Sequence, residues 1–173
     1  MHTDKPLVNR VAASGLITIK LEEFFPADVT VAFDLKDYLF HGLILRENDF
    51  REAMDAHDWA QYEGKVLLVF CSADAIIPMW AYMLVASLAT PFATDVYQGT
   101  PDAYLQQAYA TKLAALDVEQ YRGQRIIVKG CSDRPVPASA YVELTKRLRP
   151  LAKSIMFGEP CSTVPIYKMP KNG

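Results

Sequence analysis

The stretch from Lys65 to Gly99, KVLLVFCSADAIIPMWAYMLVASLATPFATDVYQG, constrains this chain most, because a variant of it is written again from Gln124 to Gly158 as QRIIVKGCSDRPVPASAYVELTKRLRPLAKSIMFG. Pro78, Ala81, Tyr82, Pro91 and Gly99 recur 59 positions later as Pro137, Ala140, Tyr141, Pro150 and Gly158, while Cys71-Ser72 recurs 60 positions later as Cys131-Ser132. Each copy reads as an apolar strand, a loop, a proline, a segment of helical period and a second apolar run. The runs VLLVF and RIIV are continuous rather than alternating, as parallel strands covered on both faces require. The expected fold is therefore α/β, a doubly wound and mainly parallel sheet built from a duplicated β-loop-α-β unit. In that arrangement the first strands of the two copies are neighbours. Cys71 and Cys131 then lie side by side at the switch point, where ligands of open α/β sheets bind.

The preceding residues read as a cover for this core. Leu16 to Leu21 and Val29 to Phe33 suit the two strands of a hairpin across the EEFFPAD turn, followed by two short helices, one capped by Asp34 through KDYLFHGLI and one capped by Asn48 through DFREAMDAH. In the second, Phe50, Met54 and Ala53 form the buried side, and His57 falls in the last turn, where the helix dipole favours an imidazolium. His57 and His41 read as packed side chains, and His2 sits in a polar arm. Pro101 to Leu116 reads as a crossover helix. With 173 residues, about half of them hydrophobic, one α/β domain over 1–173 is expected, with 1–62 as the N-terminal cover and 63–173 as the core. The net charge of −2 gives no field for nucleic acid. MHTDKPLVNR has no apolar signal core and the run from Ile76 to Ala89 is too short for a bilayer. A cytoplasmic location without membrane attachment is expected.

All three cysteines fall in Cys-Ser pairs at one kind of place, after a strand: Cys71-Ser72, Cys131-Ser132 and Cys161-Ser162. An odd number in a chain without a secretory signal argues for thiols or thiolate ligands rather than disulfides. Three thiolates at one sheet edge suit zinc, with Asp74, Asp133 or water in the fourth position, or an iron–sulfur cluster with one open iron. Lys129, two residues before Cys131, is placed to lower a thiol pKa or to meet an anion. Its other reading is a lysine extended to solvent at the sheet rim. Ser72, Ser132 and Ser162 border the same loops, whose backbone N–H groups precede a helix and favour anions.

The helices of the two copies differ. Glu143, Lys146, Arg147 and Arg149 stand where the first copy has Leu84, Ser87, Leu88 and Thr90. The first helix, Met79 to Ala89, is apolar nearly all round and must be covered, by the N-terminal region or by a second subunit.

The strings NRVAASGLITIKLEEFFP, FDLKDYLFHGLILRENDFREAMDAHDW, CSADAIIPMWAYM, VKGCSDRPVPASAYVELT and KSIMFGEPCSTVPIYK span nearly the whole chain, and by them it resembles a bacterial family of unknown function, domain-of-unknown-function family 2480. That resemblance implies no activity. The short GCSDR stretch is similar to the zinc-binding CSDSR of β-class carbonic anhydrases, although the HxxC that completes their site is missing here. Three readings follow. The first is a metal-binding protein, a hydrolase or lyase, with zinc or an iron–sulfur cluster on Cys71, Cys131 and Cys161, and Lys129, Asp74 and Asp133 as its chemical groups. The second is a metal-free interaction protein that dimerises through the apolar helix. The third is thiol chemistry at Cys131. A small-molecule ligand fits the first.

Overall fold

The computed structural model describes residues 15–130 and 132–170. The chain divides into two compact units: Pro26–Leu105, the middle unit, and Met1–Phe25 with Gln106–Gly173, the flanking unit. It is mixed α/β with mostly parallel sheets and, among the described residues, four α-helices.

The first two strands do not form the expected hairpin. Strand β1 (Leu16–Ile19) belongs to the four-stranded sheet of the flanking unit, and β2 (Thr30–Asp34) to the three-stranded sheet of the middle unit. Each instead lies parallel beside a strand far along the sequence, Ile19 opposite Val128 and Phe33 opposite Val69. Pairing them with each other would leave an unpaired backbone edge on both central strands, which an N-terminal strand on each closes.

In the middle unit α1 (Glu47–Asp55) leads to β3 (Val66–Phe70), α2 (Met79–Ala89) and β4 (Asp95–Gln98), in the parallel order β2-β3-β4. Val66, Leu67, Leu68 and Val69 are all buried, as the continuous apolar run requires of a strand covered on both faces. Ala81, Val85 and Ala89, spaced by four on one face of α2, are at 0 % exposure. They share a core with Phe33, Leu35, Phe50, Met54 and Trp59.

In the flanking unit the C-terminal part of α3 (Pro101–Ala115) supplies Tyr109 and Leu113, both fully buried. Then come β5 (Arg125–Val128), α4 (Ala138–Leu148), β6 (Ser154–Glu159) and β7 (Ser162–Lys168), in the order β1-β5-β6-β7 with only β7 antiparallel. Pro165 lies on this edge strand, where the missing N–H costs no ladder bond. The expected single sheet with β3 and β5 as neighbours is not formed: β3 lies between β2 and β4, and β5 between β1 and β6.

The units match in detail. Val66 faces Asp95 in one sheet and Arg125 faces Ser154 in the other, all shifted by 59 residues. Buried Ala81, Val85 and Ala89 recur as buried Ala140, Leu144 and Leu148. The turn before each central strand repeats too. The Asp58 carboxylate accepts from Ala60 N (3.2 Å) and its carbonyl from Gln61 Nε2 (2.6 Å). Asp117 does the same with Glu119 N (3.0 Å) and Gln120 Nε2 (2.6 Å).

Two short helices also differ from expectation. KDYLFHGLI gives only a 3₁₀ turn, Leu35–Tyr38, capped by Asp34 as expected. His41 at φ 51 and Gly42 at φ 71 then reverse the chain, and Phe40 bridges Ile44. Helix α1 has its N-cap at Arg46, two residues before the expected cap Asn48, and ends at Asp55, so His57 lies beyond it rather than in its last turn.

Candidate functional site: the loops after the central strands

Each central strand runs out into a Cys-Ser loop that precedes a helix beginning after a proline, Pro78 or Pro137. In both units a carboxylate from the neighbouring strand's exit holds this loop. In the middle unit it is Asp34, delivered by the pairing of Asp34 with Phe70. Ser72 Oγ donates to Asp34 Oδ2 (2.6 Å) and Ser72 N to Oδ1 (3.0 Å), while Lys36 N also donates to Oδ1 (3.0 Å). Burial pushes the Asp34 carboxyl up, but the hydrogen bonds from Ser72 and Lys36 outweigh it and leave the carboxyl below its ordinary value. Cys71 is half-buried and free, its thiol donating to Ala73 O at 3.6 Å.

In the flanking unit the carboxylate is Glu22, in the 3₁₀ turn Leu21–Phe24 that follows β1. Its Oε2 accepts from Asp133 N (3.1 Å), and its Oε1 lies 3.7 Å from Lys129 Nζ. The backbone N–H of Asp133 is the main cause holding Glu22 below the usual carboxylate range, with Ser132 and Lys129 adding to it. Ser132 Oγ donates to Arg134 O (2.7 Å) and accepts from Arg134 N (3.2 Å). Lys129 is therefore a partner of Glu22.

The expected residues divide between the units. Cys71, Ser72 and Asp74 belong to the middle unit, and Lys129, Ser132, Asp133, Cys161 and Ser162 to the flanking unit. Cys131 lies outside the described residues. The expected juxtaposition of Cys71 with Cys131 rested on β3 and β5 being neighbours, which they are not. Cys161 is exposed in the turn between β6 and β7, whose first residue is Ser162. Asp74 and Asp133 are exposed. Among the described residues no three His, Cys, Asp or Glu side chains are grouped to hold a metal. Chemically, a serine hydroxyl spent as donor to a carboxylate, as Ser72 is to Asp34, is a loop staple rather than a nucleophile activated by an imidazole.

Sequence reasoning missed Glu22 altogether and read Asp34 only as a cap. One signal was present: TIKLEEF (18–24) and AFDLKDY (32–38) are two versions of one strand exit, with Leu21 and Leu35 both buried.

Of the two histidines of the middle unit, both expected to be packed, His41 is instead exposed in the turn after the Leu35–Tyr38 3₁₀ segment, whereas His57 is packed, as expected, but in the opposite charge state. His57 Nε2 faces Tyr62 Oη at 2.8 Å and Gln61 Nε2 at 3.3 Å. An amide nitrogen only donates, so this ring nitrogen is an acceptor and the ring is neutral. Burial lowers the His57 pKa, against the weaker pull of Asp58, and pushes the Tyr62 hydroxyl up to about 12. Phe33, Trp59 and Tyr62 surround the imidazole.

The other unpaired surface is on α2. Ile76 is 93 %, Met79 69 % and Met83 70 % exposed, and their spacing of three and four places them along one side of the helix and its lead-in. No residue from Met79 to Ala89 is charged. No helix among the described residues is long and apolar enough to cross a membrane. A family model described as "Protein of unknown function (DUF2480)" matches residues 5–169. No curated protein and no solved structure matches the chain.

Proposed function

We propose that this chain, which belongs to the DUF2480 family of unknown function, is a self-associating interaction module of two duplicated α/β units, with the exposed side of α2 as its contact. The observation that carries this reading is the stripe Ile76, Met79 and Met83, apolar and 69–93 % exposed, on a helix that carries no charged residue. Large exposed apolar side chains in a row mark an association surface rather than a solvated one. At roughly 2 kcal/mol per fully buried side chain, covering these three on both partners of a two-fold contact contributes on the order of 9 kcal/mol. That is comparable to the ~4–15 kcal/mol lost on association, so the assembly is expected to be concentration-dependent.

Sedimentation velocity tests it. The parent is expected to shift from monomer toward dimer as concentration rises. Met83→Glu removes about 3 kcal/mol across the two partners and is expected to weaken association about 100-fold. A parent that stays monomeric at every concentration, or an unchanged profile for the variant, sinks the reading.

A metal-binding hydrolase or lyase is the second reading. Cys161 favours it, being exposed at the sheet edge where the parallel strands β5 and β6 both end. Zinc and iron content of protein purified without chelator separates the two readings, with stoichiometric metal supporting the second.

A further inference from the structure

The helix–sheet groove of the flanking unit is larger than its counterpart in the middle unit, and we infer that it binds a single-chain anionic amphiphile, a long-chain carboxylate. In the middle unit the groove between α2 and the sheet has a volume of about 240 Å³ and is bordered by Val69, Tyr82, Met83 and Val96. The same positions shifted by 59, Val128, Tyr141, Val142 and Ile155, border a groove of about 460 Å³ in the flanking unit. Two differences enlarge it. Ala138 and Val142, both on its lining, are smaller than Met79 and Met83 at the matching positions, of which Met83 borders the middle unit's groove, and β7, which the middle unit lacks, adds Ile166 as a further wall.

The walls suit a hydrocarbon. The Thr145 hydroxyl donates to Tyr141 O at 2.7 Å, and apart from it and the Tyr141 hydroxyl the side chains that line the groove are apolar. The volume falls in the lower part of the ~300–1,000 Å³ range of ligand pockets. A peptide helix fits poorly, since one turn ~10 Å wide and 5.4 Å long already occupies roughly 420 Å³.

The end of the groove suits an anion. A second hollow of about 390 Å³ shares Tyr141, Val142 and Thr145 with the first and runs on to Lys146 and Arg149. Their counterparts in the middle unit are the uncharged Ser87 and Thr90. Lys146 is partly spoken for by Glu143 at 2.7 Å. The Arg149 guanidinium lies over the Tyr167 ring at 3.6 Å, and none of the ion pairs among the described residues includes it. It is the cation left to meet a carboxylate, beside an apolar channel that takes the chain. The copy that keeps its methionines has the smaller groove and no charge at these two positions.

Isothermal titration of the full chain with dodecanoate, below its micelle concentration and at a pH where it is ionised, tests this. Saturable one-to-one binding is expected, at least tenfold weaker in Arg149→Glu and for dodecyltrimethylammonium as ligand. The double variant Ala138→Met/Val142→Met, which restores the residues of the middle unit, is expected to lose binding while its melting temperature holds. Should that variant melt early, Val142→Trp at an exposed site serves in its place. Absence of saturable binding overturns the inference, as does equal affinity for the ammonium amphiphile or in the folded, filled variant.

Discussion

Removing the Asp34 carboxylate should show how much the loop after β3 depends on it. Asp34 accepts three hydrogen bonds, from Ser72 Oγ at 2.6 Å and from the backbone N–H groups of Ser72 and Lys36 at 3.0 Å each. Its ion pair with Lys36 Nζ at 3.4 Å involves a lysine 52 % exposed and adds little. Hydrogen bonds to a charged acceptor contribute about 1.5–3 kcal/mol each when no water can replace the acceptor. Ser72 and Lys36 are exposed, so water recovers much of that. Asp34→Ala is therefore expected to lower the unfolding free energy of the middle unit by about 2 kcal/mol, and Asp34→Asn, which keeps one acceptor oxygen, by about 1 kcal/mol. Both tryptophans, Trp59 and Trp80, lie in this unit, so urea unfolding followed by their fluorescence reads it directly. The sign of the pH dependence follows from the lowered carboxyl. The folded form binds its proton less readily than the unfolded chain, so the contribution is present above the ordinary pKa of 3.8 and is lost as pH falls through the folded value. The parent's stability should drop in that window and that of Asp34→Ala should drop less. Parent and variant unfolding alike from neutral pH down to pH ~3, with equal denaturant slopes, would refute the staple.

Other substitutions test neighbouring steps. Tyr109 is fully buried with its hydroxyl unpartnered among the described residues, and its counterpart in the middle unit is Phe50; Tyr109→Phe is expected to stabilise the flanking unit by about 1 kcal/mol in urea unfolding followed by circular dichroism, and a loss would mean that the hydroxyl has a partner. His57, its pKa lowered by burial, contributes stability that is present above the ordinary value of 6.5 and is lost as pH falls from there through the lowered folded value, because protonation turns its acceptor nitrogen into a donor facing Gln61. His57→Gln should flatten the stability profile between pH ~7 and ~5, and an NMR titration placing the His57 pKa above 6.5 would contradict the geometry.

Local pattern made the strand-loop-helix-strand segments legible. VLLVF and RIIV carry enough β-branched burial to be strands in any context, and Pro78 and Pro137 mark where α2 and α4 begin. What could not be read was partnership. β1 and β2 are close in sequence and joined by a turn-like EEFFPAD, so the short-range rule favours a hairpin. Each instead pairs with a strand supplied much later, β1 with residues 125–128. The two carboxylates of the loops arrive through that pairing, which is why Glu22 went unseen. The 59-residue repeat also extends upstream of Lys65. Asp58, Gln61, Tyr62 and Gly64 recur as Asp117, Gln120, Tyr121 and Gly123, and Gly64 and Gly123 share φ values of 72 and 70. Buried Phe50 and Tyr109, also 59 residues apart, differ by one hydroxyl.

The central claim, that α2 is a contact between copies, is tested most directly by the methyl NMR signals of the methionines over a concentration series. Met79 and Met83 are 69 % and 70 % exposed and Met54 is fully buried. The account expects the Met79 and Met83 methyls to shift and broaden together as concentration rises while the Met54 methyl stays fixed. Met79 and Met83 signals that remain sharp and unmoved from dilute to concentrated solution would contradict it.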